Sequence, residues 1–85
     1  MAGSLQLEIA TPERLLVSEA VEFVVAPGSE GDFGVLPNHC PFLTSLRAGA
    51  IRYDRNGQQS EIRISGGFAH VANNRVIILA DPAAA

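Results

Sequence analysis

The residues of this sequence that could do chemistry are few, and most fall in one stretch, GSEGDFGVLPNHCP at residues 28–41. His39 directly precedes Cys40, and the two types can form a thiolate nucleophile with an imidazole base. Adjacency argues against that pairing, because such partners ordinarily come from distant positions and meet in space. The other reading makes Cys40 a small buried apolar group beneath a loop and His39 a surface polar residue. Glu30 and Asp32 could divide acid and base work across a sugar bond. Two residues apart on a turn, they lack the apolar pocket that would push their pKa values apart. They read either as a solvated acidic turn or as a knuckle that docks on arginine or lysine.

Other short patterns dissolve when their full requirements are applied. Asp32-Phe33-Gly34 matches the metal-binding tripeptide of protein kinases, but those enzymes need a strand lysine and this chain has no lysine. The glycines of GSEGDFG lack the spacing of a phosphate loop, and their two acids would repel a phosphate. His70 stands in a strand-like run between Ala69 and Val71, with no H-x-x-x-H spacing or convergent cysteines, so no transition-metal site or cofactor is expected. Two readings therefore compete with a docking module: a small Cys/His hydrolase and a sandwich that binds a ligand.

The elements that would position these residues must be short. A chain of 85 residues has room for one domain, expected to span 1–85, and hides only roughly 60% of its unfolded surface. With 47% hydrophobic and 18% charged residues it is too apolar for disorder. A lone cysteine excludes an intramolecular disulfide and a multi-cysteine zinc knuckle, and fits a reducing compartment. The start, MAGSLQLEIA, lacks the basic and apolar regions of a signal peptide, and no apolar run is long enough to span a bilayer.

Charge is divided unevenly. Residues 15–46 carry Glu19, Glu22, Glu30 and Asp32 with no base, whereas residues 47–85 carry five arginines against three acids. An acidic first half repels phosphate backbones and anionic lipid, which argues against nucleic-acid binding and electrostatic membrane attachment. A basic partner fits better.

Leu5, Leu7 and Ile9 alternate with Gln6 and Glu8, and Val21, Phe23 and Val25 alternate with Glu22 and Val24. This is the period of half-buried strands. Turn signals at Pro27-Gly28, Pro37-Asn38, Ala48-Gly49, Asn56-Gly57, Gly66-Gly67 and Asn73-Asn74 recur at the spacing of an antiparallel sandwich. Asn56-Gly57 should close a hairpin between 51–54 and 61–65, and Asn73-Asn74 another between 68–71 and 76–79. Gly66-Gly67 suggests a bulge where one long strand passes from one sheet to the other. Two face-to-face sheets are expected, with Ile9, Phe23, Val25, Ile51, Ile64, Val76 and Ile78 inward. In ADPAAA, strands end near residue 80 and Asp81 reads as an N-cap with Pro82 at the first helical position, so 81–85 should begin a helix.

GSEGDFGVLPNHCPFLTSLRAGAIRY, followed by ISGGFAHVANNRVIILAD, resembles the N-terminal domain of the epsilon subunit of F-type ATP synthases, called delta in mitochondria. The likeness covers residues 4–81 in order: acid-glycine loop, Leu-Pro-x-His-x-Pro turn, Leu-Thr-x-Leu strand, Gly-x-Ile-Arg hairpin, Ser-Gly-Gly and a closing Leu-Ala-Asp. Two positions depart from the usual pattern, Asn38 for glycine and Cys40 for alanine. Asparagine tolerates the same left-handed backbone.

The resemblance implies an all-β domain, a flattened antiparallel sandwich of about ten short strands, without catalytic residues, metal or cofactor. It implies a central-stalk rotor part that grips the gamma subunit and rests on the polar loops of the membrane c-ring, passing ring rotation to the catalytic head for ATP synthesis. By position, Ser29, Glu30, Gly31 and Asp32 match the c-ring contact, where ring loops present basic and amide side chains. Thr11, His39 and Thr44 match the gamma-facing side. The place implied is peripheral, on the cytoplasmic face of a bacterial inner membrane, with no insertion. The family's helical hairpin, which inhibits ATP hydrolysis and in some bacteria binds ATP, would begin at Asp81-Pro82 and is absent from these residues; neither property is expected of them.

Overall fold

Every asparagine in the chain holds a left-handed backbone: φ is 69° at Asn38, 52° at Asn56, 53° at Asn73 and 58° at Asn74. A short polar side chain tolerates that conformation where most others do not, so these residues fix where strands turn back. The computed structural model describes residues 4–38 and 40–82. His39 and residues 83–85 of the helix start expected over 81–85 lie outside the described residues.

Among the described residues there are eight strands: β1 (Leu5–Ala10), β2 (Leu15–Val21), β3 (Phe23–Gly28), β4 (Gly31–Val35), β5 (Phe42–Leu46), β6 (Gly49–Arg55), β7 (Gln58–Ala72) and β8 (Arg75–Pro82). That is slightly fewer than the ten or so expected, and the stretch about Gly66 is one long strand, as read from the sequence. Asn56-Gly57 closes β6 on β7, with both residues at positive φ as a tight hairpin turn requires. Asn73-Asn74 closes β7 on β8, pairing Val71 with Val76 and Phe68 with Leu79 as expected.

The long strand joins the two layers. Its first half pairs with β6, Arg55 opposite Gln58 through Gly49 opposite Ile64. Its second half lies between β5 and β8. The register slips between Ile64 and Gly66, and Gly66 and Gly67 stand at φ 155° and 143°. This is the bulge that turns the strand from one layer into the other. One layer runs β2-β1-β8-β7-β5, and β3, β4 and β6 complete the second. Among the described residues all pairings are antiparallel except β1 with β8, which run parallel, Gln6 opposite Arg75 and Ala10 opposite Leu79. No hairpin connects the first and last strands, so nothing local dictates their relative direction.

A single core lies between the layers. Leu5, Leu7 and Ile9 of β1 and Val76, Ile78 and Ala80 of β8 meet Val24 and Ala26 of β3, Ile51 and Tyr53 of β6, and Ile64 of β7. Ile9, Ile51, Ile64, Val76 and Ile78 are inward as expected. Phe23 and Val25 are not: they are half-buried, and Val24 and Ala26 take the core positions. The strand expected to run unbroken through Val21 ends there, and the chain bends at Glu22, whose N–H donates to the Asp54 carbonyl. One residue spent on the bend reverses which side chains face inward.

Two further expectations are corrected. Asp81 and Pro82 close β8 and do not leave it, standing opposite Gly66 and Ile64. Pairing with β7 claims their backbone, and proline is tolerated at a strand's end, where no further ladder bond is demanded of it. Cys40 is exposed, not buried. Leu36, Asn38 and Pro41, which also lie between β4 and β5, are exposed as well.

Candidate functional site

The acidic stretch folds as the tip of a hairpin. Gly28 at the end of β3 pairs with Gly31 at the start of β4, leaving Ser29 and Glu30 as the turn. A Cβ on Gly28 would stand 2.6 Å from the Gly31 carbonyl oxygen, so only glycine lets the strands close this tightly. Ser29, Glu30, Gly31 and Asp32 are all exposed.

The tip is tied to the connection between β5 and β6. The Ser29 N–H donates to the Ser45 carbonyl at 2.9 Å, and the two serine hydroxyls meet at 2.8 Å. The Arg47 N–H donates to the Pro27 carbonyl at 2.9 Å. The Arg47 guanidinium then spans the hairpin, Nη1 donating to the Gly28 carbonyl and Nη2 to Asp32 Oδ1, both at 2.6 Å. Phe33, next to Asp32, packs edge-on against Phe42 of β5 with ring centres 5.1 Å apart. Bonds from both sides of a turn restrict its freedom, so a partner would meet it already shaped.

The second surface is apolar. Phe68 and Leu79 are paired across β7 and β8, and Leu43 of β5 lies opposite His70. These three large side chains remain 58%, 60% and 68% exposed. Alternation puts them on the outer face, since Ala69, Val71, Ile78 and Ala80 fill the core. Beside Phe68 and Leu79 opens a groove of about 450 Å³, bordered by Ala10, Thr11, Pro12 and Ser45. An exposed apolar patch of this kind marks an interaction surface more often than an accident of packing.

Of the residues expected to face gamma, Thr11 lies on this groove, its hydroxyl donating to the Arg14 carbonyl at 3.3 Å. Thr44 is half-buried opposite Ala69, on the other face of β5 from Leu43 and Ser45. Sequence reasoning missed Leu43, Phe68, Leu79, Ser45 and Arg47. One signal was available: Phe68 shares its phase with His70, a polar residue, and not with Ala69 and Val71. Ser45 belongs to both surfaces, since it holds Ser29 and borders the groove. Among the described residues, no group of histidine, cysteine and carboxylates could hold a metal ion, and no helix is long and apolar enough to cross a membrane.

The fold defines a two-layer β-sandwich domain, with an acidic corner at one hairpin tip and a bare apolar outer face. The chain is a member of the ATP synthase delta/epsilon family, whose β-sandwich domain it matches over residues 4–85. It is 52% identical over 83 residues to the ATP synthase epsilon chain of Nitratidesulfovibrio vulgaris strain DP4, and 49% identical over the same length to that of Carboxydothermus hydrogenoformans. Each match takes in 98% of this chain and 62% of the relative, so the chain spans a little under two thirds of their length. A chain of the mitochondrial ATP synthase of Euglena gracilis, solved with OSCP, F1 and c-ring, superposes with TM-score 0.85 at 29% identity, over 91% of this chain and 50% of that one. A chain from the central stalk and c-ring of the Tetrahymena thermophila enzyme shares the fold with TM-score 0.77 at 14% identity, over 94% of this chain and 65% of that one. None of these similarities supports the hydrolase reading of Cys40.

Proposed function

We propose that this chain is a noncatalytic part of the central stalk of an F-type ATP synthase, coupling c-ring rotation to gamma and thence to the catalytic head. The acidic turn of Ser29, Glu30, Gly31 and Asp32 rests on the c-ring. The outer face of Leu43, Phe68 and Leu79, with Thr11 at its border and His39 and Thr44 nearby in sequence, holds gamma. In a bacterium, these contacts place the module on the cytoplasmic face of the inner membrane.

The observation that carries this reading is the join at Ser45. Its carbonyl and hydroxyl hold the acidic turn, and its own strand borders the apolar groove. A load applied at one surface reaches the other through a hydrogen-bonded sheet, without a flexible linker in between. Mechanical transmission needs that stiffness, whereas catalysis would need convergent reactive groups.

The test is assembly. With both Glu30 and Asp32 reversed to lysine, the domain should stay folded by circular dichroism and retain gamma but lose the c-ring in pull-down at low salt, where exposed charges are little screened. Unchanged capture of the c-ring would sink the assignment.

A further inference from the structure

Within the apolar outer face stands a histidine. Residues paired directly across neighbouring strands share a face, so the register sets Leu43 of β5, His70 of β7 and Ile77 of β8 in one row. Phe68, paired with Leu79, forms the next row of the same face. His70 is exposed and stands among Leu43, Ile77 and Phe68. The charged groups that face it follow from the same register. On β8, Arg75 is two residues from Ile77, and with His70 it borders a pocket of about 280 Å³. On β1, Glu8 is paired with Ile77, one strand further away. β5 sets Leu43 and Ser45 on this face, and β7 itself sets Phe68 and Ala72 there, none of them charged. Among the described residues, the side chains of His70, Arg75 and Glu8 have neither a hydrogen bond nor an ion pair.

We propose that His70 makes association through this face dependent on pH, gamma being held while the imidazole is neutral and released as it takes up a proton. This rests on the docking reading above, and asks of gamma only that it cover the face. Covering strips water from His70, and loss of water disfavours the charged imidazolium. Arg75, on the rim of the same pocket, is a like charge and acts in the same direction. Glu8 acts against both, but from the far side of Ile77. Binding therefore selects the neutral form. Affinity is full on the alkaline side and is lost as pH falls through the range in which the uncovered imidazole gains its proton. That range lies where histidine changes charge under ordinary cellular conditions.

Affinity for gamma is measured by titration calorimetry at about pH 7.5 and about pH 5.5, on either side of the usual imidazole range. The parent should bind about tenfold more weakly at the lower pH, the loss expected when one group must shed a proton on binding. His70→Gln has no such proton and should differ by less than about twofold. His39→Gln leaves His70 in place and should keep the parent's ratio, and Glu8→Gln should widen it. At about pH 6.5 the parent should release protons on binding, seen as an enthalpy that follows the buffer's own ionisation enthalpy, and His70→Gln should release fewer. A role for His70 in packing alone would not move that proton count.

Equal pH ratios in the parent and His70→Gln overturn the inference. So does acid-tightened binding that His70→Gln abolishes, since gamma would then set a carboxylate against the imidazole. Phe68→Gln combined with Leu79→Gln separates the two levels. If that pair leaves affinity for gamma intact on the alkaline side, the docking reading falls and the role of His70 with it. If it weakens binding while the parent and His70→Gln share one pH ratio, only the role of His70 falls.

Discussion

Gly67 of β7 lies against the backbone of Leu79 in β8, so close that a Cβ built on it would stand 2.2 Å from the Leu79 carbonyl oxygen. Its φ of 143° is itself rarely adopted by other residues. The crossing of β7 between layers therefore depends on the missing side chain twice, once for space and once for conformation.

Gly67→Ala should cost about 3 kcal/mol or more, combining overpacking against backbone with a strained φ. Gly57 gives the control: its φ is 80°, but a Cβ there would meet nothing within 4 Å. Gly57→Ala should cost about 1 kcal/mol, for conformation alone. Urea midpoints of the two variants measure the difference, and equal losses would refute the close approach at Gly67.

The inward frame of β3 is open to the same kind of comparison. Val24→Ala empties a core position and should cost about 2–3 kcal/mol. Val25→Ala, on the half-buried face, should cost less than about 1 kcal/mol. The opposite order in denaturation would restore the frame read from the alternation of Val21, Phe23 and Val25.

Asn74 has a second task beyond its turn, since its Oδ1 accepts the Asn38 N–H at 2.6 Å. Glycine satisfies the positive φ at both Asn73 and Asn74, so substitution isolates that bond. Asn73→Gly should stay within about 0.5 kcal/mol of the parent, and Asn74→Gly should lose about 1 kcal/mol. Amide exchange at Asn38 should quicken only in the second.

The outer face should matter to association more than to folding. Phe68→Gln combined with Leu79→Gln removes apolar groups already open to solvent, so stability should change by less than about 1 kcal/mol. Affinity for gamma, followed by titration calorimetry, should fall by about 2 kcal/mol or more if these side chains anchor the contact. A binding loss no larger than the folding loss would move the gamma contact elsewhere.

Much of the architecture was legible because it is written in local chemistry. The two asparagine hairpins, the bulge at Gly66-Gly67 and the inward set of β1, β6 and β8 each follow from a few adjacent residues and the period of a strand. The acidic turn was legible too, as a short run between glycines. The frame of β3 was not, because FVVA is apolar on both faces and the bend at Glu22 consumes the residue that would have kept the count. Cys40 was misread since smallness and apolarity say nothing of whether a layer lies above.

The residue order alone determined strands, turns and the sign of the exposed corner, for these depend on backbone preference and side-chain alternation over a few positions. Tertiary structure decided which acid is neutralised, because Arg47 reaches Asp32 and Gly28 only once β5 lies beside β3. It likewise decided that β1 and β8 run parallel and that Leu43, Phe68 and Leu79 form one bare face. Those relations join residues distant in the chain, and the pairing energy that sets them exists only when the whole sheet has closed.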